Sequence, residues 1–153
     1  MLGILVPLIA AGCNRQPAGE AFTPGLGEIM TLQQMRHVKL WLAGDAGNWP
    51  LAGYELEEMD EGFDDAVHFH PTHKDSPVPI NQVIEKIMTQ PLKDARAAVE
   101  AKDHERFVQA FDQVTEGCNA CHRATNFGFN VVARPSGNPY ANQVFAPAAT
   151  AKP

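Results

Sequence analysis

The chain has 153 residues, 44% of them apolar, with 12 Lys and Arg against 18 Asp and Glu for a formal net charge of -6. That length and apolar content suit one domain around one core. The acidic balance, with its basic residues scattered, argues against nucleic-acid binding, which neutralises phosphates with clustered cations, and suits solubility and a basic partner protein.

Met1 to Gly12 is apolar apart from a break at Pro7, and is followed by Cys13 and the polar Asn14, Arg15 and Gln16. Such a run is too short to span a bilayer, which takes ~20 residues, but it matches the hydrophobic core of an export signal. The stretch Ile9-Ala10-Ala11-Gly12-Cys13 resembles the lipobox of bacterial lipoproteins. That resemblance implies a signal over residues 1–13, lipid on Cys13 and a membrane anchor through that lipid. Ordinary secretion with a free or removed Cys13, and a buried first helix, are the alternatives. The leading readings put the domain outside the cytoplasm, in the bacterial periplasm. Residues 14–22, polar and containing Gly and Pro, read as a tether.

Four helical segments are predicted next, in a domain over 23–130. The first has Thr23 as N-cap and Pro24 at its first position, and runs through Leu26, Ile29, Met30, Leu32, Met35, Val38, Leu40, Trp41 and Leu42 to a break at Ala43-Gly44. Its apolar residues cover more than one face, so it is expected to be buried on two sides, or to give one side to the core and another to a ligand. Asn48 caps the second, where Leu56, Met59, Phe63, Ala66 and Val67 make one stripe. Pro71, Pro77 and Pro79 make the segment from Phe69 to Pro79 a loop. The third covers about Asn81 to Ala101 and is expected to kink or divide at Pro91. Asp103 caps the fourth, with Phe107, Phe111, Val114, Cys118 and Cys121 on one stripe. Residues 131–153 read as an irregular tail, and Ala146 to Pro153 have a disordered composition.

Near the end of the fourth helix stands Cys118-Asn119-Ala120-Cys121-His122. Helical spacing projects both thiols and the imidazole from one side. This is the geometry that covalent haem attachment needs, with two thioethers on the porphyrin edge and the adjacent imidazole on the iron. By the chain's own composition the pattern arises by chance in roughly two of a thousand such sequences. A zinc site would want a second ligand pair at a fixed spacing, and a thioredoxin-like dithiol would follow a strand at a helix start. Neither context is present in the sequence. Three cysteines, odd for a disulfide framework, are accounted for if Cys13 carries lipid and the other two carry one haem c.

A late attachment motif on the last of four helices resembles cytochrome c-prime and the related class II c-type cytochromes, over about residues 23–125. The resemblance implies an all-α, up-down-up-down four-helix bundle with covalently bound haem near the end of the last helix. It also implies thioethers at Cys118 and Cys121 and His122 as proximal ligand. The sixth position in that family comes from the first helix, as a methionine in low-spin members or a non-ligating apolar residue in gas-binding ones.

In such a bundle the end of helix four lies beside the start of helix one. Met30 is therefore the predicted sixth ligand, while Met35 and His37 lie ~8 and ~10 Å further along. Core packing is the competing role for both methionines, and a hydrogen-bonded interface position for His37. Arg36 is a candidate for a haem propionate, against a solvated arginine. The loop histidines, His68, His70 and His73, are expected at the haem end, where they could bind a metal, ligate iron, tune the haem edge or simply be solvated. Phe127 and Phe129 are candidates to shield the porphyrin or anchor the tail, and Trp41 and Trp49 read as structural.

The expected activity is electron transfer to a redox partner protein, without enzymatic catalysis and with homodimerisation open. An iron filled by His and Met exchanges electrons with little rearrangement. The alternative is a five-coordinate gas-binding or sensing haem protein in which Met30 does not reach the iron. A peroxidase-like enzyme using a loop histidine comes last.

Overall fold

The structure, a computed structural model, describes residues 22–148. Four helices make up its regular part: α1 (Leu26–Asp45), α2 (Trp49–Phe69), α3 (Ile80–Ala101) and α4 (His104–Ala124). No strand occurs among the described residues. No helix there is long and apolar enough to cross a membrane. The expected export signal, Cys13 and most of the tether lie outside the described residues.

Local chemistry sets the boundaries. Asn48 accepts a hydrogen bond from the Leu51 N–H at 3.4 Å, and Asp103 accepts one from the Arg106 N–H at 3.1 Å. Each such cap is worth about 1 kcal/mol to its helix. The start of α1 is a correction, because Thr23 and Pro24 lie outside it. Glu28 reaches back to the Gly25 N–H at 2.7 Å and so satisfies a donor the first turn leaves open, which starts the helix at Leu26. The expected break at Ala43-Gly44 is also corrected. Gly44 is buried inside the helix against the Phe107 ring, where any side chain would collide, so this glycine serves close approach of α1 to α4. The reversal falls at Gly47, whose φ of +72° suits a residue without Cβ.

Pro91 does not divide α3, which runs as one helix to Ala101. Met88, Leu92, Ala95 and Val99, from both sides of the proline, lie buried on one stripe. Their packing holds the two halves in line despite the missing N–H donor.

Neighbours in sequence pack against each other more closely than α1 packs against α4. The Leu40, Leu56, Met59, Met88, Phe107, Phe111 and Val114 side chains fill the centre from all four helices. Trp41 packs on Phe111 at 5.0 Å between ring centroids and on Phe107 at 6.2 Å, which closes the bundle at the end away from Cys118.

After α4 the chain turns back along the bundle. Asn126 adopts a left-handed φ of +68°, and the following residues run antiparallel to α4 over the gap between it and α1. Arg134 binds Asp112 of α4 and lies 4.6 Å from the Trp41 ring of α1. Tyr140 sits under Lys39, Phe145 is buried in the core, and Asn48 donates to the Ala146 carbonyl at 3.4 Å. Residues 131–148 hold no regular element yet form a strap across the loosest of the adjacent helix pairs.

Candidate functional site

Where the aromatic packing stops, the bundle opens. A cavity of about 390 Å³, largely apolar and partly open to solvent, lies between all four helices at the Cys118 end. That volume falls within the ~300–1,000 Å³ usual for cofactor sites. Leu26 to His37 of α1 form one wall, Met59 and Phe63 of α2 and Ile80 to Met88 of α3 another, and Cys118, Cys121 and His122 of α4 a third. Gly117 lets the wall close, since the Met88 sulfur stands 2.7 Å from where a Cβ would be.

Both thiols are free and border the cavity. Burial pushes Cys118 up to about 12, with the neighbouring Cys121 adding to the rise, and burial pushes Cys121 up to about 11. They are neutral thiols at ordinary pH. A redox-active dithiol works by the opposite shift, towards thiolate, so the geometry supplies no support for that use. Among the described residues no three or more His, Cys, Asp or Glu gather as a metal-holding group.

His122 is held from outside the helix. Its Nδ1–H donates to the Asn130 carbonyl at 2.6 Å, so the second ring nitrogen, Nε2, keeps its lone pair for a metal. That arrangement, a ring N–H fixed by a carbonyl, is how ligating histidines are oriented.

On α1, His37 is buried, at 2% exposure, and 2.8 Å separates its Nε2 from the Thr115 hydroxyl. Thr115 spends its only proton on the Phe111 carbonyl at 3.0 Å. The imidazole therefore donates, and His37 is the neutral Nε2–H tautomer. Burial lowers its pKa to about 4. This contact also fixes helix register. Seven residues from His37 towards the start of α1, and seven from Thr115 towards the end of α4, lead to Met30 and His122. Seven residues are two turns, so both stand on the inward side, level with each other and ~10 Å from the His37–Thr115 bond.

Of the other candidates, Met35 does not border the cavity. Arg36 pairs with Glu58 of α2 at 3.1 Å, and so serves the α1–α2 contact. The three loop imidazoles go separate ways: His68 stays on α2 against Phe69, His70 donates to the Pro24 carbonyl at 2.7 Å, and His73 borders the cavity against Phe127. Phe127 lines the cavity, whereas Phe129 is 82% exposed. Trp41 and Trp49 pack around Phe107.

The sequence reading missed Asn130, Thr115 and Gln33, which is buried and donates to the Met59 carbonyl at 2.7 Å. Gln33 and His37, one turn apart on a helix apolar on several faces, were the available signal for buried polar bonds. Nothing local marks Asn130. The chemistry of the donor set suits a porphyrin: two neutral thiols and an imidazole with a free Nε2 on the rim of an apolar cavity. Comparison with protein-family models, with curated proteins and with solved structures finds no match to this chain.

Proposed function

We propose that the chain is a monohaem c-type cytochrome of the class II kind that carries electrons in the periplasm, anchored there by lipid on Cys13. The observation that carries this reading is the meeting of Cys118, Cys121 and His122 on the rim of one apolar cavity, with the His122 Nδ1 already occupied by Asn130. In it, Cys118 and Cys121 would hold the porphyrin through thioethers, and His122 through Nε2 and Met30 would bind its iron. Haem supplies a one-electron Fe(III)/Fe(II) couple when bound. The protein's own part is to exclude water with the apolar walls, to orient the imidazole, and to present Met30 level with it.

Gas binding is the second reading. What favours it is the α3 wall of the cavity, where Ile80, Val83 and Ile84 offer no polar atom to a bound ligand. Expression in a host with haem-maturation machinery, followed by mass and absorption measurement, tests both. A protein heavier by one porphyrin, with a low-spin reduced spectrum indifferent to carbon monoxide, is expected. A loaded protein whose spectrum shifts with the gas establishes the second reading, and a colourless product without added mass refutes both.

A further inference from the structure

His122 owes its orientation to a carbonyl in a segment with little structure of its own. Asn130 is exposed, and within its turn the backbone offers one bond, from the Asn130 N–H to the Phe127 carbonyl at 2.8 Å. Two residues on, the strap is pinned. Asn119 donates from Nδ2 to the Val132 carbonyl at 2.9 Å and accepts from the Val132 N–H through Oδ1 at 2.8 Å. Asn119 lies between the two cysteines and one helical turn before His122, so clamp and imidazole stand side by side on α4.

We propose that Asn119 is a positioning residue for the axial histidine, its two-way bond to Val132 holding the Asn130 carbonyl on the His122 Nδ1–H. The proposal rests on the haem reading above. A side-chain amide satisfies both backbone groups of one residue only when that residue is extended and in register, so the pair fixes the strap in rotation as well as distance. A carbonyl held at 2.6 Å from Nδ1 draws that proton and makes Nε2 a stronger donor, which stabilises the Fe(III) state over Fe(II). With the clamp lost, the carbonyl exchanges with water for the same proton and the donor weakens.

The test uses the full-length haem-loaded protein, its Asn119→Ala variant, and Arg134→Ala, which loosens the strap at Asp112 and Trp41 without touching the clamp. Two quantities are read: the midpoint potential, and the rate of solvent exchange of the His122 Nδ1–H by NMR. Asn119→Ala is expected to raise the potential and speed the exchange, with Arg134→Ala leaving both as in wild type. Unchanged values in Asn119→Ala overturn the proposal, and so do equal changes in Arg134→Ala, which would assign the effect to the strap at large. Where Asn119→Ala does not mature, Asn119→Leu takes its place, since it keeps the side-chain volume and loses both bonds to Val132 without adding charge. Failure of both to hold haem while wild type holds it makes Asn119 a folding residue and overturns the proposal. A wild type without haem sinks the functional reading itself, a result distinct from a loaded wild type with an unresponsive variant.

Discussion

His37 is the residue at which packing most alters chemistry. Desolvation holds its pKa at about 4 against an ordinary 6.5, so between these values the unfolded chain binds a proton that the folded chain refuses. The stability it contributes is whole above pH 6.5 and is lost as pH falls towards and through 4. At 1.36 kcal/mol per unit this is roughly 3 kcal/mol across the window. Replacing His37 by Gln keeps a donor for Thr115 and removes the titration. Urea unfolding at pH 7.5 and 4.5 is expected to show most of this difference in wild type and to lack it in His37→Gln. Around the candidate site, that Cys118, Cys121 and His122 border one cavity from one side of α4 was legible from spacing alone, because i, i+3 and i+4 positions share a helix face whatever surrounds them. Asn130 was not, because its carbonyl is a backbone group that any residue offers, and only the path of the strap brings it to His122.

Among the elements, α3 is where propensity and tertiary structure disagree. An interior proline costs about 3 kcal/mol relative to alanine, yet the helix continues because both of its halves bury apolar residues on one stripe. Pro91→Ala restores the missing N–H donor but frees the unfolded chain, an offset of up to about 1 kcal/mol. A net gain of about 2 kcal/mol is the expected outcome, read as a higher urea midpoint with an unchanged denaturant slope. A lower midpoint would mean that the helix is bent to suit the proline. The caps at Asn48 and Asp103 agree between sequence and structure because capping is a local bond, made within three residues. The start of α1 differs because Thr23 and Glu28 both offer a cap, and Glu28 makes the bond.

For the molecule as a whole, the strap is decisive. α1 and α4 meet least among neighbouring helices, and the chain after Ala124 covers their gap with Arg134, Tyr140 and the buried Phe145. Phe145→Ala is expected to cost about 3 kcal/mol by denaturant unfolding, the usual cost of emptying a buried aromatic site. A loss under about 0.5 kcal/mol would show that the strap lies on the surface without contributing to the core. By itself the sequence determined the four helices, because apolar periodicity and caps act over a few residues, and it determined which three side chains share a face near the end of α4. It carried no sign that residues 131–148 belong to the packing, since a segment rich in Asn, Gly and Pro has no period to read. Tertiary structure alone decided that α1 meets α4 in the register that levels Met30 with His122, and that a returning backbone carbonyl holds the imidazole. Both are contacts between residues distant in the chain, and their partners are selected by the shape of the assembled bundle, which no local pattern encodes.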